Sequence, residues 1–186
     1  MKKILLALSF LVSFISFSQT EEIYDQAGKL EKKVEYNNNG KVIENIFYNS
    51  DGSIDRRESY LRDKNDHIVE EFHYSNEKLI FRWVNEYDYR GNKISALYYG
   101  KKGSLSSKYY YKYDDRGNKI EQQFHYGPGL SLIELKVYEY ENDKKIKETM
   151  YNSGRLHKTY YFEYNEQGVL IETKGFWADG TRISGL

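Results

Sequence analysis

The sequence contains no cysteine, and this absence excludes several kinds of chemistry. Without thiols the chain forms no disulfide, holds no thiolate metal site and has no cysteine nucleophile. It also lacks an N-terminal cysteine to which a lipid could be attached. The sequence lacks an excess of one charge as well, since 28 basic and 28 acidic residues cancel. The two signs are interspersed, so we expect no nucleic-acid partner and no binding to an anionic membrane surface.

Proline occurs once, and long helical runs rich in Ala and Leu are missing beyond the first 17 residues. Tyrosine, by contrast, occurs 20 times. Aromatic and β-branched residues favour strands over helices. The composition therefore predicts an all-β protein.

The N-terminus carries the one long apolar run, Ile4 to Phe17, directly after Lys2 and Lys3. Small residues flank Phe17 at the positions that a signal peptidase reads. Residues 1–18 are therefore predicted to be a secretory signal peptide cleaved before Gln19, with an uncleaved N-terminal anchor as the alternative. Residues 19–186 then form one domain of an exported bacterial protein, periplasmic or extracellular, with no membrane span after cleavage.

A short motif recurs along this whole domain: an aromatic residue, Asp or Asn, two free positions, Gly and, shortly after it, an aliphatic residue. The clearest copies are "YDYRGNKI" and "YDDRGNKI". Complete and degenerate copies together begin at intervals of 11 to 14 residues, at Tyr24, Tyr36, Tyr48, Leu61, Tyr74, Tyr87, Tyr99, Tyr113, Tyr126, Tyr140, Tyr151, Tyr164 and Trp177. The regular spacing indicates a repeat protein.

Each copy has the chemistry of a hairpin turn. The Asp or Asn side chain accepts hydrogen bonds from later backbone N–H groups, two residues form a type I turn, and Gly at positive φ closes a bulge. In the copy that begins at Leu61, Asn65 is expected to replace the glycine. The predicted structural turn residues are Asp88, Asp114, Gly28, Gly40, Gly52, Gly91, Gly103, Gly117, Gly168 and Gly180.

Strands of roughly seven residues separate the turns. In "IEQQFHY", Phe124 and Tyr126 share one face of the strand and His125 points to the other. The leading Tyr of each copy is expected to face the trailing Ile or Leu across the turn. No helix is available to cover the apolar face, so we expect a repetitive antiparallel meander of about a dozen strands. Its sheet should be strongly twisted, curled, partly barrel-like or folded into two layers.

The recurrent "YDxxGN" stretches resemble the YD repeats of RHS-type bacterial proteins, and the resemblance covers nearly the whole domain. It implies a spiralling antiparallel sheet of the kind that forms a shell around cargo. The best copies are Tyr87–Ile94 and Tyr113–Ile120, although Asn or Lys stands where the family usually has Arg after the glycine, and several copies lack Gly. The chain is also far too short for a closed shell. A weaker resemblance is to the MORN-like repeats of small antitoxin-like proteins.

Catalytic and metal-binding motifs are absent from the sequence. It has no Gly-x-Ser-x-Gly, no His-Glu-x-x-His and no phosphate-binding Gly loop with Lys. An acid/base pair assembled from distant strands stays open. The four histidines are His67, His73, His125 and His157; His73 and His125 occur in identical "FHY" contexts four strands apart, about 19 Å in an open sheet. We therefore expect neither enzyme activity, nor a metal, nor a cofactor.

The expected function is a non-catalytic recognition or scaffold module that contacts a protein partner through an aromatic-rich sheet. The alternatives are a binding protein for a cell-envelope or extracellular polysaccharide and an antitoxin- or immunity-like protein. The candidate binding residues are Tyr98, Tyr110, Tyr138 and Tyr161, unless these tyrosines only form structural rows in the sheet. The last residues leave a possible open edge for pairing with a partner chain.

Overall fold

The protein, described by a computed structural model over residues 19–185, consists of thirteen strands with no helix in that range. The predicted signal peptide lies outside the described residues. The strands are β1 (Gln19–Tyr24), β2 (Leu30–Tyr36), β3 (Val42–Tyr48), β4 (Ile54–Arg62), β5 (Ile68–Ser75), β6 (Lys78–Tyr87), β7 (Lys93–Gly100), β8 (Leu105–Tyr113), β9 (Lys119–Tyr126), β10 (Ser131–Glu141), β11 (Lys144–Asn152), β12 (Arg155–Tyr164) and β13 (Leu170–Trp177). All belong to one antiparallel sheet in sequence order, which confirms the predicted all-β meander.

The sheet is open, with β1 and β13 as its edges, and each strand is hydrogen-bonded only to its neighbours in the sequence. Among residues 19–185 the buried apolar side chains are Val34, Ala96, Tyr138 and Met150, and no side chain is fully buried. A face covered by a second layer would hold many fully buried apolar side chains. The second layer that the sequence allowed is therefore not found in the described part of the chain.

The turns form around hydrogen bonds to an Asp or Asn side chain. The Asp88 carboxylate accepts bonds from the backbone N–H groups of Arg90 (2.9 Å) and Asn92 (2.8 Å), and the N–H of Gly91 donates to the carbonyl of Asp88 (3.0 Å). Gly91 has a φ of 86°, a left-handed conformation that favours glycine. The structure places the other predicted turn glycines, Gly28, Gly40, Gly52, Gly103, Gly117, Gly168 and Gly180, at positive φ as well.

One turn differs from its sequence prediction by a single position. Asp66, not Asn65, takes the positive φ (65°), and its N–H donates to the carbonyl of Asp63 (3.0 Å). The prediction of Asn65 was wrong because this copy begins at Arg62, which occupies the place of the usual tyrosine, and not at Leu61. Aspartate tolerates the left-handed region better than most residues other than glycine.

Three degenerate copies form tighter turns than the motif predicts. Two central residues at positive φ, the requirement of a type I′ turn, occur at Asn76–Glu77, Asn142–Asp143 and Ser153–Gly154. A two-residue turn of this type needs no glycine in the motif's position. The loss of that glycine from these copies therefore shortens the loop and leaves the hairpin intact.

Every pair of neighbouring strands contains a register shift in addition to the turn. Tyr87 pairs with Lys93, and Ile94 is the extra residue before regular pairing resumes. The predicted pairing of Tyr with the trailing Ile is therefore wrong for this copy, because Tyr pairs with the sixth residue after it and the Ile of "YDYRGNKI" is the seventh. In the shorter copy "YDQAGKL", Tyr24 pairs with Leu30, as predicted.

Tyrosine hydroxyls connect successive hairpins along the side of the sheet at which the even-numbered strands end. We call this side the tyrosine edge, which is distinct from the edge strands β1 and β13. At this tyrosine edge the last Tyr of an even-numbered strand donates to a backbone carbonyl of the preceding strand. The bonds are Tyr87 to Ile68 (3.0 Å), Tyr113 to Lys93 (2.9 Å), Tyr140 to Lys119 (3.0 Å) and Tyr164 to Lys145 (2.9 Å). In β4 the guanidinium of Arg62 donates to the carbonyl of Val42 (2.8 and 3.0 Å) and performs the same role.

Removing one hydroxyl of this series should weaken the sheet measurably. We expect Tyr113→Phe to lower the free energy of unfolding by about 1 kcal/mol, since it deletes one half-buried hydrogen bond and leaves the carbonyl of Lys93 short of a donor. Urea unfolding would measure the change. The control is Tyr126→Phe, which changes an exposed residue at the end of β9, on the side of the sheet opposite the tyrosine edge. Its expected change in the free energy of unfolding is close to zero. Equal losses in the two variants would contradict a stabilising role for the bond.

Candidate ligand-binding face

One face of the sheet, here called the aromatic face, collects side chains from alternate residues of each strand. Trp83 pairs with Tyr98 across β6 and β7, and Tyr109 pairs with Phe124 across β8 and β9. Alternation along each strand directs these four side chains to the same side of the sheet. Tyr109 and Tyr111 lie on the same face of β8, and their rings stack with centroids 6.3 Å apart.

The rings of the aromatic face form a continuous row from β5 to β9. Trp83 contacts Tyr98 at 5.0 Å and Tyr109 at 6.1 Å between centroids, and Tyr109 stacks on Phe124 at 4.7 Å. The remaining contacts join His73 to Phe81, Phe81 to Tyr98, and Phe124 to Tyr126. Five strands at about 4.8 Å spacing give the row a length of about 19 Å. Because the rings hold one another in place, the surface is already ordered before any ligand arrives.

A shallow depression of about 300 Å³ lies in the middle of this row. It is lined by Glu71, Trp83, Asn85, Lys93, Ala96, Tyr109 and Tyr111. The small side chain of Ala96 is only 5% exposed, and beside it the buried Asn85 amide donates to the carbonyl of Ile68 (3.0 Å). Flat apolar rings around a few polar groups can bind and orient a ligand.

Charged groups border the depression on two sides. Burial lowers the pKa of Lys93, while the negative charge of Glu71 works against that shift. The Glu71 carboxylate lies within hydrogen-bonding distance of Nε2 of His73, whose ring stacks on Phe81 at 4.2 Å. The Glu71 carboxylate therefore contacts His73, and the ammonium group of Lys93 lies at the rim, 5.8 Å from the ring centroid of Tyr87.

The four tyrosines predicted to bind do not form one patch. Tyr98 and Tyr138 lie on the aromatic face, where Tyr98 is half-buried in the ring row and Tyr138 is only 9% exposed. Tyr110 and Tyr161 lie on the opposite face, 40% and 43% exposed. A ligand on one face can therefore contact two of these tyrosines at most.

Sequence reasoning missed Trp83 and Lys93. The alternation in "FRWVNEY" puts Phe81, Trp83 and Asn85 on one face of β6, and this signal was available. The position of Lys93 was hidden, because it depends on the extra residue Ile94 that lets Lys93 pair with Tyr87.

The histidines are separated by the sheet. His73 pairs with Phe81 on the aromatic face, whereas His125 pairs with Lys108 on the opposite face, despite their identical sequence contexts. The extra residues between β5 and β9 change the phase of alternation. Within residues 19–185 no group of three or more His, Asp or Glu side chains is placed to hold a metal ion. In that same part of the chain, no helix has the length and apolar character to cross a membrane.

Comparisons with known proteins identify no family. No family model matches the sequence, and no curated protein matches it. The structure is similar to the Tc holotoxin pore of Photorhabdus luminescens, with a TM-score of 0.42, 10% identity and 88% of this chain covered; this chain spans 9% of that chain. A protein of unknown function from Bacteroides fragilis matches with a TM-score of 0.14 and 11% identity, over 85% of this chain and 91% of that one.

Proposed function

We propose that the protein is a non-catalytic recognition module, exported to the periplasm or the cell exterior, that binds an extended ligand on its aromatic face. The observation that supports this proposal is the ring row from His73 to Tyr126, which crosses five strands and is covered by no other element within residues 19–185. Ordered aromatic side chains on an uncovered surface are typical of recognition sites.

A polysaccharide is the ligand class that this geometry favours. The depression is shallow, and Trp83, Tyr109 and Tyr111 provide flat apolar surfaces for the faces of sugar rings. The backbone N–H and C=O groups in the middle of a sheet already bond to neighbouring strands, so a ligand on the face meets side chains alone. Sugar rings that stack on aromatic side chains suit such a surface.

A protein partner is the second candidate, and the edges of the sheet favour it. All six residues of β1 are exposed. At β13 the N–H of Ile183 donates to the carbonyl of Gly175 (2.8 Å) and the N–H of Trp177 to that of Thr181 (2.9 Å), so the chain covers only the end of this strand. Ile171, in the uncovered part, is 62% exposed. A partner strand could add to either edge.

Two finer interpretations also belong to this proposal. We expect the sheet to be strongly twisted, because extra residues occur between all neighbouring strands and bulges increase the local twist. We also expect the repeats to be related to the YD repeats of RHS-type proteins, an interpretation that rests on the "YDxxGN" copies. The antitoxin- or immunity-like function stays the remaining alternative.

Substitutions on the two faces test the polysaccharide proposal. On an array of bacterial polysaccharides, we expect the full chain to bind and Trp83→Ala to weaken binding about tenfold or more, since truncating a central aromatic anchor typically costs 2 kcal/mol or more. Tyr161→Ala, a substitution of an exposed ring on the opposite face, is the control and should bind like the unmodified protein. Loss of binding in Tyr161→Ala, with Trp83→Ala unaffected, would assign recognition to the opposite face.

A pull-down from cell-envelope extract distinguishes the second candidate. A stoichiometric protein captured equally by the unmodified protein and by Trp83→Ala would place the contact at the edges of the sheet. Capture of no protein above background, together with array binding, would leave the polysaccharide function.

A further inference from the structure

A second feature of the aromatic face runs beside the tyrosine edge. Lysines at the start of odd-numbered strands alternate there with rings from even-numbered strands. The order across the sheet is Lys93 (β7), Tyr111 (β8), Lys119 (β9), Tyr138 (β10), Lys145 (β11) and Phe162 (β12). We call these six residues the lysine–ring column. With about 4.8 Å between strands, its lysines recur about every 9.6 Å, over a total of about 24 Å.

Direct contacts connect the five members of the column from Tyr111 to Phe162, and Lys93 lines the same depression as Tyr111. The ammonium group of Lys119 lies 5.4 Å from the ring centroids of both Tyr111 and Tyr138. That of Lys145 lies 5.5 Å from Tyr138 and 4.4 Å from Phe162. Such cation–π contacts hold the ammonium groups of Lys119 and Lys145 close to the sheet.

The tyrosine edge fixes the spacing of the lysines. The hydroxyl of Tyr113 donates to the backbone carbonyl of Lys93, and that of Tyr140 donates to the carbonyl of Lys119. Each bond connects one hairpin to the hairpin before it. These bonds help to fix the backbone positions from which the side chains of Lys93 and Lys119 extend.

The positive charge of the column is only partly compensated. Lys145 forms an ion pair with Glu148 (2.7 Å). Lys93 and Lys119 form no ion pair with any residue in 19–185, and Lys119 donates to the neutral amide of Gln122 (2.9 Å). Burial lowers the pKa of Lys119, with added repulsion from Lys136 and Lys145, while the negative charge of Glu148 works against that shift.

We propose that the lysine–ring column binds a linear polysaccharide that carries carboxylate groups at regular intervals. This inference rests on the proposed function and names the ligand class of the same face. Carboxylates would bond to Lys93 and Lys119, and the sugar faces between them would stack on Tyr111 and Tyr138. A repeating polymer suits a column with one chemical group per strand, whereas a peptide that crosses the face would find no backbone partners for its own amides.

The experiment uses two polymers with one backbone: polygalacturonate, which is anionic, and its fully methyl-esterified form, which is neutral. We expect the full chain to bind polygalacturonate about tenfold more tightly than the ester, and the difference to shrink at high salt. Lys93→Met and Lys119→Met keep the stem length and remove the charge, and each should weaken binding of the anionic polymer about tenfold. Lys108→Met, on the opposite face, is the matched control with no expected change.

The outcomes separate this inference from the proposed function. Equal binding of the two polymers, lost in Trp83→Ala and kept in Lys119→Met, would overturn the carboxylate inference and leave the aromatic face as the binding site. Binding of neither polymer would also overturn it, and the array and pull-down would then decide the recognition function. An equal loss in Lys108→Met and Lys119→Met would show non-specific charge attraction and would contradict the column as the site.

Discussion

Gly91→Val is expected to destabilise the protein by about 3 kcal/mol, through two separate effects. First, a β-branched residue at a φ of 86° is strained, which costs about 1–2 kcal/mol. Second, a Cβ at this position would lie 3.0 Å from Nε2 of His67. The His67 ring cannot move away freely, because it stacks on Tyr87 at 4.6 Å and bonds to the Asp63 carboxylate (3.1 Å). The clash therefore adds a second penalty of similar size.

Two further substitutions separate these effects. Gly117 has nearly the same φ, 89°, but open space around a Cβ, so Gly117→Val should cost about 1–2 kcal/mol from backbone strain alone. Gly100 lies in a strand, outside the left-handed region, and also has open space, so Gly100→Val should change stability little. Urea unfolding of the three variants measures the series. Equal effects at Gly91 and Gly100 would refute the turn geometry.

Alkaline solution should also destabilise the protein, mainly between pH 10 and 12. Burial, aided by the Glu58 carboxylate, raises the pKa of Tyr60 to about 12. Burial likewise raises the pKa of Tyr111, Tyr113 and Tyr140. The folded chain keeps these protons at a pH where the unfolded chain releases them. The stability is therefore complete below about pH 10 and is lost as the pH rises through the pKa values of the folded state.

The size of the alkaline effect depends on several tyrosines together. A shift of one pKa unit corresponds to about 1.4 kcal/mol of stability for a fully buried group. Each of these tyrosines contributes less than that to the stability, since all remain partly exposed. Burial lowers the pKa of Lys93 and Lys119, which adds a small stabilisation as the pH approaches about 10. The decisive measurement is the free energy of unfolding from pH 10.5 to 12. Tyr60→Phe should reduce the slope of this free energy against pH, and Tyr126→Phe should not. Identical slopes in the two variants would contradict the role of Tyr60 in the alkaline loss of stability.

Much of the fold is contained in local sequence. Asp88 and Gly91 define a turn by the chemistry of four consecutive residues, so a single sequence is enough to locate it. The extra residue Ile94 is different, because its position depends on which residues of two strands pair. Pairing is a property of both strands, and the "YDxxGN" pattern describes only the loop between them. The faces of individual strands were therefore predictable, and the phase between distant strands was not.

The candidate site illustrates the same limit. Tyr98 and Tyr110 were selected because tyrosines are dense in that region, yet the sheet directs them to opposite faces. Trp83 and Tyr109 are 26 positions apart in the sequence and in contact in the sheet. Composition identifies candidate side chains, whereas the assembled surface depends on the accumulated register of every intervening strand.

The pairing of each strand with its sequence neighbours alone also affects how this chain reaches its structure. No strand has to find a partner from a distant part of the sequence, so the loop-closure entropy of each pairing step is small. Low contact order of this kind is associated with fast folding, and all-β proteins usually have high contact order. Stability becomes a sum over pairs of adjacent strands. Hairpins can therefore be added by duplication or removed by deletion without redesign of a central core. The sheet is therefore a structure whose length evolution can adjust.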